Sequence, residues 1–355
     1  MFCEEIMKIL HVLQSSSYSG AENVVIETIK MINSYDNMQS VYASTKGKIE
    51  ETLINNKIEY MLMDNFNYNN LKKVINKYNP DVIHAHDFQA SILCSLLKKD
   101  KLLISHIHSN PDWIKKINLR SLAYLMSSFK FNKILTVSPK IVGNYVFRKF
   151  IKNKSINIGN PINSEKIRSK SIEISNYNDK EHKSDLIFVG RLEDVKNPFR
   201  FINIVHKVKL VIPSVKAVMV GNGSLLSECE EYINQMKLND NIKILGFQEN
   251  PYSYIENSKV LCITSKNEGY SLVAIEAISL SIPVVSVDVG EVSRIVDSSS
   301  GLVINDEQIL IDETIRLLQD ETYYMTKSKG AYEKSNLMSN YEEFREMLYS
   351  IYTNR

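Results

Sequence analysis

Short runs rich in β-branched and other aliphatic residues recur along the whole chain, separated by stretches with helical periodicity. In the first half they are Met7–Leu13, Ser40–Ala43, Asp81–Ala85, Leu102–Ile107 and Lys133–Val137. In the second half they are Leu186–Val189, Val215–Val220, Ile242–Leu245, Val260–Thr264 and Pro283–Val287. Such alternation indicates parallel sheets joined by crossover helices. At 355 residues the chain exceeds what one core supports, so two α/β domains are expected. The polar stretch Asn163–Ser184 is the best boundary, dividing a first domain over 1–165 from a second over 184–335. The tail, 336–355, spaces its apolar residues between Asn340 and Leu348 for one helix face, and is read as a helix crossing back to the first domain.

Glycine is scarce, 12 in all, and Gly190, Gly221, Gly223, Gly246, Gly269 and Gly290 each stand at or just behind one of the later strand runs. In open parallel sheets, ligands bind outside the carboxyl ends of the strands. The segment Asn267–Ala277 carries two carboxylates, Glu268 and Glu276, eight positions apart. Glu276 is the one charge in the run Leu272–Ile282, read as a buried helix leading into a buried strand. A buried carboxylate needs a partner, and ligand hydroxyls across the helix start are the expected one. Glu268, in the loop ahead, lies where backbone N–H groups and the helix dipole favour a phosphate. Hydroxyls at both ends and phosphate between describe a nucleotide-sugar.

Arg191 and Lys196 follow the strand-end Gly190 on one loop. They could both be directed at a diphosphate, neutralising the charge that builds on a departing nucleoside diphosphate; read alone, the same loop is a solvated turn with two ordinary basic residues. Asn222 sits in a G-x-G turn, and Phe247 follows Gly246. Near the start, a small-residue loop from Ser15 to Gly20 leads from the first strand into a helix opening at Ala21. Four of the seven histidines fall in two strand-end segments, His84-Ala85-His86 and His106-Ile107-His108, each pair pointing one way. Two such pairs could hold a metal ion, but no metal is expected.

Phe188–Pro198, Val220–Gly223, Leu245–Phe247 and Glu268–Glu276, in that order, resemble the retaining glycosyltransferases of family 4 (glycosyl transferases group 1). The resemblance covers most of the chain and is sharper over 184–304. It implies a GT-B fold, two Rossmann-like doubly wound parallel-sheet domains facing a cleft, and a hexosyltransferase-type enzyme that retains configuration. It further implies that Gly20, Gly190, Arg191, Lys196, Gly221, Asn222, Phe247, Glu268, Gly269, Tyr270, Ser271, Leu272 and Glu276 line the donor site. Glu268, His108, Arg191 and Lys196 would be catalytic, with Ser19, His86 and His106 on the acceptor side. Ser19 stands where the family usually has a second glycine. No cofactor is implied, since the nucleoside-diphosphate sugar, commonly a UDP-sugar, is a substrate. The acceptor implied is a sugar or lipid-linked sugar, in cell-surface polysaccharide or glycolipid synthesis. The other readings are a nucleotide-sugar epimerase of the same architecture and a catalytically silent nucleotide-sugar-binding subunit.

A net charge of +2 and a pI near 8.1 argue against a nucleic-acid binder. No apolar run has the length of a membrane span, and the start, Met1–Glu5, lacks the pattern of a signal peptide. A cytoplasmic protein is expected. Cys3, Cys94, Cys229 and Cys262 lie far apart and read as reduced thiols with no structural zinc. Basic residues Lys115, Lys116, Arg120, Lys130, Lys133 and 148–154, interleaved with Trp113, Phe129, Phe131 and Phe147, could bring the first domain to the anionic inner membrane surface.

Overall fold

A computed structural model describes residues 6–172 and 183–353. The chain start read above, with Cys3, and residues 173–182 of the polar stretch lie outside the described residues. Two compact units emerge, Met1–Pro161 with Asn340–Arg355, and Ile162–Ser339.

Among the described residues, the first unit holds seven strands: β1 (Met7–Val12), β2 (Met38–Thr45), β3 (Tyr60–Met63), β4 (Val82–His86), β5 (Leu102–Ile107), β6 (Lys133–Thr136) and β7 (Ser155–Asn157). They run parallel in the order β3-β2-β1-β4-β5-β6-β7, so the winding reverses between β1 and β4. Alternate side chains serve opposite faces. Ile9, Val82, Ile104 and Leu135 pack with Phe344, Leu348, Ile351 and Tyr352 of the helix Tyr341–Thr353. Each of those four helix residues contributes about 2 kcal/mol by burial. Leu13 and Tyr42 join Val25, Ile26 and Ile29 of the helix Gly20–Ile32 in a separate cluster.

The second unit holds six parallel strands among the described residues: β8 (Ser184–Val189), β9 (Ala217–Val220), β10 (Ile242–Gly246), β11 (Ser258–Ile263), β12 (Val284–Ser286) and β13 (Gly301–Val303). Their order is β10-β9-β8-β11-β12-β13, reversing between β8 and β11. Leu186, Phe188, Ala217, Met219, Val260 and Cys262 feed one core, while Ile187, Val218, Val220, Leu261 and Ile263 feed the other. Apolar residues on both faces account for the unbroken hydrophobic runs in the sequence.

The main division between the units falls at Pro161/Ile162, just ahead of the polar boundary segment. A helix, Ser164–Ile172, begins inside it and belongs to the second unit. Arg168 fastens that helix by donating to the Ser279 carbonyl at 2.9 Å and to the Ser335 hydroxyl at 3.0 Å. Polar composition marked exposure, but the few polar side chains facing inward are anchors. Cys94, Cys229 and Cys262 are buried free thiols.

Candidate functional site

The reversal between β8 and β11 brings together two loops of the second unit. One leaves β8 through Gly190 and runs to Asn197; the other leaves β11 and runs to Ser271. Lys196 Nζ meets Glu268 Oε1 at 2.6 Å, and the Ser265 hydroxyl donates to the same oxygen at 2.7 Å. The Glu268 side chain is only 8% exposed and that of Lys196 23%, so the pair is partly desolvated and stronger than a surface bridge. The loops are also tied through backbone: Lys266 N–H donates to the Val195 carbonyl at 2.8 Å. The Thr264 hydroxyl lies 3.2 and 3.0 Å from the carbonyls of Lys196 and Asn197. Asn197 takes a left-handed φ of 50° ahead of the helix Pro198–Lys209, a conformation asparagine tolerates.

The β9 loop presses against the first of these. A Cβ on Gly221 would stand 1.9 Å from the Gly190 carbonyl oxygen, so only glycine fits there. Asn222 accepts from the Leu192 N–H at 3.0 Å through its carbonyl, and its side chain accepts from Gly223 N–H at 2.7 Å. Phe247 follows β10 and is 57% exposed. Arg191 is exposed, and its charge helps hold the Glu193 carboxyl below its usual range, after the larger effect of hydrogen bonds from Ser224.

Ser271 precedes the helix Leu272–Ser279, and its buried hydroxyl has no hydrogen-bond partner among the described residues. The Gly269 carbonyl accepts from Glu291 N–H at 3.2 Å, and burial raises the Tyr270 phenol. Glu276 sits on that helix. It retains some exposed surface, yet desolvation pushes its carboxyl up to about 7, opposed by a hydrogen bond from Tyr252 and the charge of Lys170. Tyr252 is a protein partner that the sequence reading did not supply for Glu276.

Of the second-unit residues singled out from sequence, Gly190, Lys196 and Glu268 stand together at the strand ends. Arg191 and Glu276 are not bonded to that pair in this conformation. Sequence reasoning passed over Thr264 and Ser265, which position Lys196 and Glu268. It also left Gly290 out of the site. A Cβ there would stand 2.5 Å from the Glu268 carbonyl oxygen, at a φ of +58°. Its place behind a strand run was the available signal.

In the first unit the corresponding reversal gathers histidines. His11 of β1, His84 and His86 of β4 and His106 of β5 are at most 2% exposed, and His108 just beyond β5 is partly exposed. Their rings pack at centroid distances from 4.1 Å for His106 and His108 to 5.5 Å for His86 and His106. His11 Nδ1 lies 3.1 Å from His86 Nε2, and His86 Nδ1 lies 2.9 Å from His108 Nε2. Burial drives all five toward the neutral form, with His11 lowered to about 3.

A cavity of about 740 Å³ in this unit is lined by Ser15, Ser17, Glu22, Lys46, His86 and Asp87 among others. Ser19 and Gly20 are exposed at the start of their helix, where Ser19 donates to the Glu22 carboxylate. Burial raises Glu22, a carboxylate the sequence reading did not place in a site.

The basic and aromatic segment needs correction in two places. Phe131 is 2% exposed and belongs to the interior. Lys154 binds the carbonyls of Ser128, Phe129 and Phe131, at 3.1, 3.4 and 3.2 Å, closing the end of the helix Leu119–Ser128. A lysine so used is lost to any basic surface.

Comparison with known proteins follows the same division. Residues 19–166 match the model of Glycosyltransferase Family 4 and residues 169–334 that of Glycosyl transferases group 1. An uncharacterized glycosyltransferase of Methanocaldococcus jannaschii is 27% identical over 61% of this chain, which spans 57% of that relative's length. The capsular polysaccharide biosynthesis glycosyltransferase CapH of Staphylococcus aureus is 25% identical over 82% of this chain and 84% of its own. The crystal structure of HepE of Anabaena in complex with UDP and glucose superposes with a TM-score of 0.84 at 17% identity, covering 98% of this chain and 100% of that one. With the two models matched in order across most of its length, and a backbone shared throughout with HepE, this chain belongs to the glycosyl transferases group 1 family and has the GT-B fold.

Proposed function

We propose that this glycosyltransferase moves a hexose from a UDP-sugar to a hydroxyl acceptor with retention of configuration, in the synthesis of a cell-surface polysaccharide or glycolipid. The observation that carries this reading is the Lys196–Glu268 pair at the β8/β11 reversal, 2.6 Å apart and largely shielded. Lys196 there is a cation held in reserve. An arriving diphosphate takes over its charge, joined by Arg191, and together they stabilise the leaving nucleoside diphosphate. Glu268, relieved of the lysine, faces the hydroxyls of the sugar and the positive charge that develops on it. The backbone of Gly269, Tyr270 and Ser271 and the start of the helix Leu272–Ser279 receive phosphate. Glu276 bonds the ribose hydroxyls, for which it must ionise. His108 contacts the transferred sugar, and Ser19, His86 and His106 belong to the acceptor side. The acceptor hydroxyl attacks from the face the diphosphate leaves, and a departing phosphate oxygen takes its proton. CapH, similar over most of this chain, acts in capsular polysaccharide synthesis.

A lipid-linked acceptor fits a surface of the first unit. Leu119, Leu122 and Met126 follow helical spacing along one face of the helix Leu119–Ser128, continued by Phe129, and each is at least 40% exposed. Ile117 and Phe150 are exposed as well, among the exposed cations Lys115, Lys116, Arg120, Lys130, Arg148 and Lys149. Apolar side chains ringed by cations suit the cytoplasmic face of an anionic membrane. No helix among the described residues is long and apolar enough to cross one.

The test is turnover with a panel of UDP-hexoses and an undecaprenyl-linked saccharide acceptor, the product's anomeric configuration read by NMR. An axial donor bond that yields an axial product bond is expected. An inverted product overturns retention. An isomerised free donor would make this an epimerase, and donor binding without turnover a silent binding subunit.

A further inference from the structure

We propose that, while no sugar occupies this part of the first unit, His86, His106 and His108, given sugar-side roles above, form a binding site for a divalent first-row transition cation of the zinc type. Strand register places the three rings. His86 of β4 is paired with His106 of β5 in the parallel ladder, and His108 follows two positions later on the same face. One ring nitrogen from each can be chosen so that all three lie within 4.8 Å of one another.

Three further observations point to a ligand. Both ring nitrogens of His106 are buried without a hydrogen-bond partner among the described residues, and burying such an atom costs about 1–3 kcal/mol. His86 Nδ1 and His108 Nε2 lie 2.9 Å apart, so a single proton is shared by two imidazoles. A tetrahedral cation bound at about 2.0–2.1 Å takes that proton's place once the two nitrogens open to roughly 3.3 Å. Lastly, the other nitrogen of His86 is held by His11 at 3.1 Å, the kind of outer partner that orients a metal-ligating imidazole.

The surroundings suit a dication. Asp87 accepts from the backbone N–H of His108 at 3.1 Å and from the Ser109 hydroxyl at 3.3 Å, which sets a carboxylate beside the rings. Glu22 and Asp87 line the cavity that also reaches His86. The Asp87 carboxylate therefore offsets part of the charge that three neutral ligands leave in place. His108 is partly exposed, which gives an ion an entry path and leaves a fourth position open. Imidazole ligands select zinc, copper, nickel or cobalt; magnesium and calcium take oxygen ligands instead. The neighbouring trio of His11, His84 and His86 is the weaker site, because the Tyr352 hydroxyl already holds His84 Nδ1 at 2.6 Å.

The experiment uses the full chain, stripped with a chelator, titrated calorimetrically with Zn²⁺ and with Mg²⁺. In parallel, Co²⁺ is added and the visible bands of four-coordinate cobalt are followed. One Zn²⁺ per chain, no Mg²⁺ uptake and tetrahedral cobalt bands are expected. His108→Ala, at the exposed edge of the cluster, should weaken Zn²⁺ by at least the roughly 100-fold that loss of an outer partner can cost, while His206→Ala in the second unit should leave it unchanged. The absence of stoichiometric Zn²⁺ binding in the wild-type chain overturns the proposal. So does binding of the same strength in folded His86→Ala, His106→Ala and His108→Ala chains.

Discussion

Both sheets reverse their winding at the equivalent step, β1 to β4 in one unit and β8 to β11 in the other, and each fills the strand ends there with different chemistry. The second unit places a lysine on a carboxylate, an ion pair with little exposure. The first unit places five imidazoles that burial keeps neutral, with Glu22 and Asp87 alongside. One architecture thus carries an ion pair at the strand ends of one unit and a neutral imidazole cluster at those of the other. The fold supplies the location; residue type at the strand end supplies the affinity.

The largest test of this contrast removes the ion pair. Lys196→Ala and Glu268→Ala should each lower turnover by about 10³-fold, the scale for losing one preorganised charge partner in a shielded site. Lys196→Ala should also abolish UDP binding in a calorimeter, whereas His86→Ala should retain it. Equal loss of UDP binding in both variants would erase the division between the units.

Next in size is the pH effect that Glu276 contributes in the second unit. Glu276 carries a carboxyl raised from 4.5 to about 7 by burial. Between those values the folded chain holds a proton that the unfolded chain has lost. The associated stability is therefore complete below pH 4.5 and disappears as pH rises through 7. The loss reaches up to about 3 kcal/mol. The excess of the wild-type urea midpoint over that of Glu276→Gln should shrink from pH 5 to pH 8, whereas the rise toward pH 6.5 that the five buried histidines impose is common to both chains. A constant difference between the two chains across that range would take Glu276 out of the account.

Gly290→Ala sharpens the comparison at a smaller scale. Its Cβ would meet the Glu268 carbonyl at 2.5 Å in a left-handed conformation, costing about 2 kcal/mol and displacing Glu268. Gly143→Ala in the first unit meets nothing within 4 Å and should stabilise by about 0.5 kcal/mol. Thermal melts of the two variants should move in opposite directions.

The smallest effect concerns the exposed apolar stripe. Leu119→Ser and Met126→Ser should each weaken sedimentation with phosphatidylglycerol vesicles by about tenfold, on the scale of one buried side chain. Turnover on a water-soluble acceptor should not change. Vesicle binding unaffected by both substitutions would remove the membrane from the reading.

The parallel sheets were legible because strands buried on both faces leave unbroken aliphatic runs. The short edge strands β3, β7 and β13 were not, since three or four residues at an edge carry no period to read. The motif residues Gly190, Lys196 and Glu268 were likewise visible, and coordinates were needed to show that Lys196 rests on Glu268 rather than standing open. The boundary segment does begin beside the division between the units, but polarity reports average exposure and did not show that Arg168 and Ser164 are inward anchors.

What the sequence by itself determined is local: which stretches are strands, which glycines end them, and which charged groups those ends carry. Tertiary structure alone decided which of those groups meet. Lys196 reaches Glu268 across 72 positions and His86 reaches His108 across 22, through loops brought side by side by strand order. Side-chain contacts between strands depend on register and winding, and no periodicity within a single strand encodes its neighbour.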